Sequence, residues 1–217
     1  MTDRIRPYVE RIMSDPSLRT RALIALSVLA DALLVVYDIA CVKLFGRSAT
    51  WYVGQIVWTV TLACARVAIL VMDRSSASRK ARHMEVVTGV SLLCTALEVC
   101  LLSVFSRRFG VPLPGTSLFV LVDGLYVVIK LVLSFASKTG FGRDGSDATA
   151  ARCRILLSRA EVLFLFSILF RRLIEVYGWL DGSLIPQVNL WQGLIAGIAA
   201  AVMGATLLLG PHRKREH

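Results

Sequence analysis

Eleven ionisable side chains lie inside the long apolar stretches of this 217-residue chain: six acids (Asp31, Asp38, Glu98, Asp123, Glu161, Glu175) and five bases (Arg66, Lys130, Arg159, Arg171, Arg172). In apolar surroundings such groups can neutralise one another, carry a proton, or hold a charged solute. Hydrolytic and His-ligated metal chemistry have no support. The only histidines, His83, His212 and His217, fall outside the apolar stretches, so Ser91 has no intramembrane base. The five cysteines show no metal-ligand spacing and read as small packing residues. No catalytic residue, cofactor or metal site is expected.

The spacing of the polar residues puts them on faces. Asp31 and Asp38 are seven apart, nearly two helical turns, and therefore on one side of one helix. Gln55, Thr59 and Arg66 share a second face, and Asp123, Tyr126, Lys130 and Ser134 form a third. Ser158, Glu161, Arg172 and Glu175 make a fourth stripe, and Ser91, Cys94 and Glu98 a shorter fifth. All are expected to meet inside a bundle. By depth, Asp31 pairs with Arg66, Asp38 with Arg172 and Lys130 with Glu98, while Arg159 and Arg171 extend towards opposite interfaces. The candidate intramembrane network is thus Asp31, Asp38, Arg66, Glu98, Asp123, Lys130, Glu161 and Arg172.

The elements carrying these faces read as six transmembrane helices, approximately 22–43, 51–72, 86–106, 117–137, 155–177 and 189–210, in an all-α polytopic membrane protein. Mean hydropathy is +0.66 and 56% of residues are hydrophobic, which leaves no room for a separate soluble domain. Eleven Leu, Ile and Val between residues 22 and 42 favour insertion by roughly 3–7 kcal/mol, while two Asp oppose it by roughly 5–7 kcal/mol. The first helix therefore needs partners for its carboxylates. Its length and its two Asp also argue against a cleavable signal peptide.

With the N-terminus in the cytoplasm, sixteen Lys and Arg outside the spans fall on the cytoplasmic side and four on the other, which puts both termini inside. The net charge of +10 is thus a topology signal, with anionic lipid headgroups as cytoplasmic partners and no nucleic acid expected. Trp51, Tyr52, Tyr177, Trp179 and Trp191 fall at outer helix ends and read as an interfacial belt. Residues 1–21 are a cytoplasmic tail, in which 7–13 reads as an interfacial helix or as disordered basic chain. Residues 22–210 are the membrane domain, and 211–217 a basic cytoplasmic tail.

Residues 29–39 align with 121–131 at a constant offset of 92, which superposes Asp31 on Asp123 and Asp38 on Lys130. Residues 62–71 align with 168–177, which superposes Arg66 on Arg172. Two units of three helices each would make a 3+3 inverted repeat. The last helix carries Gly193, Gly197, Ala200, Ala201, Gly204 and Ala205, small-xxx-small spacing for close packing within the chain, against a second copy, or against a membrane partner.

The segments 45–70, 125–138 and 151–170, with the glycine-rich final helix, resemble a group of uncharacterised multi-spanning bacterial inner-membrane proteins. The resemblance implies that location and no activity. Two function classes fit these residues. A small-solute transporter or transporter substrate-binding subunit would use the polar stripes and the repeat. A non-transporting scaffold or assembly protein would use balanced charge to hold helices in register.

Overall fold

The computed structural model describes residues 15–46, 50–73, 80–109, 117–135 and 146–209. The described residues form six α-helices: α1 (Pro16–Phe45), α2 (Thr50–Asp73), α3 (Lys80–Phe109), α4 (Ser117–Phe135), α5 (Ser146–Tyr177) and α6 (Ile185–Leu209). The expected helix at 7–13 and the basic tail at 211–217 lie outside the described residues. Pro16 opens α1 at a position where its missing N–H is not needed, and the backbone N–H of Leu18 donates to Asp15 Oδ1 at 3.4 Å. At the other end of the bundle, Gly178 ends α5 with φ of +63°, a left-handed turn that glycine enters without strain, and its N–H donates to Ile174 O at 3.0 Å.

Five of the helices (α1, α2, α3, α4 and α6) are long and apolar enough to cross a membrane. α5 is long enough, at 32 residues, but carries too much charge for its composition alone to say so. Packing explains why that charge is tolerated. α5 touches each of the other five helices, so it is the central element and has the least surface to offer to lipid.

The surface is inverted relative to a soluble protein. Leu29, Leu33, Val36, Leu97, Leu121, Leu125, Phe166 and Ile195 point outward and exposed, while Asp31, Asp38, Arg66, Lys130, Glu161 and Arg172 are buried to within 1%. An apolar exterior around a polar interior is the arrangement that hydrocarbon imposes. The molecule is a multi-pass helical membrane protein.

The small residues of α6 are spent inside the chain, against α3. A Cβ added at Gly204 would lie 2.8 Å from the carbonyl oxygen of Gly89, and one at Gly197 would lie 3.0 Å from that of Ala96. The two backbones are in contact, the geometry small-xxx-small spacing permits. Arg82, in the first turn of α3, donates to the last carbonyls of α6, Leu207 O at 3.1 Å and Leu208 O at 2.8 Å. It serves as a cationic C-cap that ties the two helices at one end.

Two expectations about aromatic and basic residues are corrected. Trp51 and Tyr52 are buried and take no part in an interfacial belt; Tyr177, Trp179 and Trp191 are exposed. Trp51 donates its indole N–H to Ser106 Oγ at 3.2 Å, and Tyr52 serves the charge network described below. Arg171 does not extend to an interface. It is buried, stacks over the Trp51 ring at 4.2 Å, pairs with Glu175 at 2.7 Å and donates to Ser106 Oγ at 3.0 Å. Asn189 of α6 also donates to Glu175, at 3.2 Å. Arg159 is exposed, as its position on the outer face of α5 requires.

Candidate functional site

Seven of the eight network residues gather into two clusters, about 10 Å apart along α1 at the ~1.5 Å rise of a helix. The first is a closed quartet. Arg66 of α2 donates to Asp31 Oδ2 at 2.5 Å and to Glu161 Oε2 at 2.5 Å. Lys130 of α4 meets the other oxygen of each carboxylate: it pairs with Asp31 Oδ1, lies 2.8 Å from Glu161 Oε1, and donates to the backbone carbonyl of Ser27 at 3.2 Å. Two acids and two bases from α1, α2, α4 and α5 bridge in a ring, so every unit charge has an opposite neighbour on each side. In a dry interior this is the arrangement in which mutual attraction offsets the cost of desolvation.

The second cluster does not close. Arg172 of α5 pairs with Asp123 of α4 at 3.0 Å, and donates to the hydroxyls of Tyr52 at 2.7 Å and Tyr37 at 3.4 Å. Its guanidinium lies over the Tyr52 and Phe119 rings, each 5.4 Å away. Phe45 stacks on Tyr52 at 5.8 Å and meets Phe119 at 5.4 Å, so four rings from α1, α2 and α4 wall off this end. Asp38 stands beside the pair, within electrostatic range of Asp123 and Arg172. It is completely buried, yet neither of its carboxylate oxygens has a hydrogen-bond partner among the described residues. Two carboxyl groups share one cation.

No protein-family model matches this chain, and no curated protein matches it in sequence.

The depth-based pairings are therefore partly redrawn. Asp31–Arg66 stands, but Arg172 takes Asp123 in place of Asp38, and Lys130 takes Asp31 and Glu161 in place of Glu98. Glu98 is the residue left out. It is half-buried, and makes no ion pair among the described residues. The inward polar residues of α3 are Thr88, Thr95, Ser103 and Ser106, rotated away from the Ser91–Cys94–Glu98 face. A groove of about 820 Å³ between α1 and α2 has Asp31 among its lining residues, but its walls are Val28, Ala32, Val60, Ala63 and Val67 and it opens on the apolar outer face. It offers no aqueous route to the quartet.

One buried charge was missed by the sequence reading. Hydropathy falls before residue 155, which places Arg154 in a basic loop, whereas α5 continues back to Ser146 and carries Arg154 inside the bundle. Arg154 is 2% exposed, its Nε and Nη1 have no acceptor and it has no counter-ion among the described residues, and the charges that act on it there are Arg66 and Arg19, both positive. A desolvated cation without a counter-ion destabilises the fold. Arg154→Met, which keeps the length and apolar stem of the side chain, is expected to raise the unfolding temperature in detergent, and a fall in that temperature would show that the guanidinium is held after all.

Proposed function

We propose that the protein is a small-solute transporter that crosses the membrane six times with both termini in the cytoplasm, and that the open cluster around Asp38 is its working site. α5 is then the sixth span, inserted with Glu161 and Arg172 matched by partners on neighbouring helices. The observation that carries this reading is the contrast between the clusters. A scaffold gains nothing from an unpaired carboxylate in its core, which costs several kcal/mol more than an apolar residue there. The quartet shows what pairing for stability looks like in this same protein, and Asp38 departs from it.

The 3+3 inverted repeat belongs to the same reading. The alignment sets Asp31 with Asp123 and Arg66 with Arg172, and both Asp31–Arg66 and Asp123–Arg172 are ion pairs. Each half thus makes the corresponding pair, one towards the cytoplasmic end of the bundle and one towards the outer end. The second alignment, extended without a gap, sets Trp58 with Phe164, and these rings touch each other at 5.6 Å where an axis relating the halves would pass. Two halves that can exchange roles are the usual basis of alternating access.

The test is chemical access. Treatment of intact membranes with a water-soluble carbodiimide and a nucleophilic tag is expected to modify Asp38 and to spare Asp31 and Glu161, with the exposed Asp181 as the positive control. Tagging of Asp181 with none at Asp38 would leave a dry core and favour the scaffold.

A further inference from the structure

The repeat makes the two clusters comparable residue by residue, and the comparison shows where they differ. In the quartet the pair Asp31–Arg66 is joined by Lys130 and Glu161. The offset of 92 sets Lys130 with Asp38, and the offset of 106 in the second alignment sets Glu161 with Gln55. Gln55 and Asp38 are both fully buried. In the alignment the pair is therefore kept, as Asp123–Arg172, and the other two members are exchanged: the amide of Gln55 stands where the carboxylate was, and the carboxyl of Asp38 where the ammonium was. Where the quartet has a built-in cation, this cluster has an acid with two unbonded oxygens.

We propose that the second cluster is a binding site for one exchangeable proton, carried on Asp38, in the place that the Lys130 ammonium fills permanently in the first. With the proton bound, the cluster holds one anion, Asp123, and one cation, Arg172, and is neutral like the quartet. Without it, the cluster carries an uncompensated negative charge in a water-free interior. The titratable groups within electrostatic range of Asp38 are Cys41 of α1, Tyr126 and Asp123 of α4, and Arg172 of α5. The hydroxyl of Tyr126 is itself buried with no hydrogen-bond partner among the described residues, and lies within electrostatic range of Asp38 on one side and of Asp31 and Glu161 on the other. A proton is favoured over a metal ion because it needs no coordination shell, and among the described residues no three acidic, histidine or cysteine side chains gather to supply one. This inference deepens the transporter reading by naming its coupling ion, and it rests on that reading only for the consequence, not for the measurement.

The measurement is infrared difference spectroscopy of the full-length protein in lipid, following the carbonyl stretch of a protonated carboxylic acid. Wild type is expected to show such a band at neutral pH, shifted in D₂O, unaffected by sodium, and lost in Asp38→Asn. Persistence of the full band in Asp38→Asn would overturn the proposal. So would a band that fails to shift in D₂O, or one that appears only when sodium is removed, which would make the occupant a metal ion. A second variant guards against a folding artefact. Gln55→Glu with Asp38→Lys rebuilds the quartet in the second cluster, and is expected to accumulate like wild type while lacking the band. A band at Asp38 together with no carbodiimide access would keep the proton and remove transport, so the two readings fail separately.

Discussion

Arg66→Met is expected to lower accumulation of the folded protein severely while leaving enough to purify. Arg66 is fully buried and bridges Asp31 and Glu161 at 2.5 Å each. Its removal leaves two carboxylates facing Lys130 alone, one negative charge in excess in the centre of the bundle. Breaking a buried pair by deleting one partner costs about 3–5 kcal/mol, and a membrane helix as marginal as α1 has little to set against that. The informative partner is Arg66→Met with Glu161→Gln. That double variant returns the cluster to neutrality, with the Asp31–Lys130 pair intact, and is expected to recover most of the accumulation. A coupling of about 0.5–3 kcal/mol between the two substitutions is the range for residues in one network. Measured thermal unfolding in detergent, with Glu161→Gln alone as the fourth corner, completes the cycle; strict additivity would show that the ring is not a unit.

Geometry also explains why the simplest exchange is a poor probe. Swapping Asp31 and Arg66 would place an arginine at 31 against Lys130 and an aspartate at 66 against Glu161, creating two like-charge contacts for each attraction restored. The four-membered ring admits rescue by neutralisation and not by exchange.

What the sequence made legible follows from what each signal reports. Helix number and approximate bounds come from runs of apolar residues, and six helices appear where six runs stand. Polar faces come from helical periodicity, which placed Asp31 with Asp38, and Gln55 with Arg66, on the inward sides they occupy. Pairing was less legible, because position along a helix gives depth but not which neighbour stands opposite. Arg172 could reach two acids at its level, and only the packing of α4 against α5 selects Asp123. Glu98 shows the same gap from the other side: its depth matches Lys130, but α3 turns that face away. Trp51 and Tyr52 illustrate a second limit of pattern, since an aromatic at a helix end serves a lipid interface or a charge network equally well. Arg154 illustrates a third. A helix continues past the point where its hydropathy stops, so a span boundary drawn on hydropathy truncates α5 by nine residues and turns a buried arginine into a loop residue.

Gly204→Leu is expected to be as damaging as the loss of Arg66, for a reason unrelated to charge. At this position the first side-chain atom already meets backbone: 2.8 Å to Gly89 O, with Leu92 Cβ at 3.1 Å. Neither neighbour is the free end of a flexible side chain, so α3 and α6 must separate. Separation breaks more than one contact, because the same seam holds Gly197 against Ala96, Gly193 against Ser103, and the Arg82 cap on the last turn of α6. Overpacking at a single site costs about 1–3 kcal/mol where the surroundings can yield, and here they are main chain. A graded series tests this. Gly204→Ala should lower the unfolding temperature, and Gly204→Leu should lower it further or prevent accumulation. Gly124→Ala, at a helical glycine with nothing within 4 Å of the added methyl, should be neutral or raise it. If Gly204→Leu matched Gly124→Ala, α6 would not be packed on α3 through its glycines, and its small-residue face would be free to meet another chain.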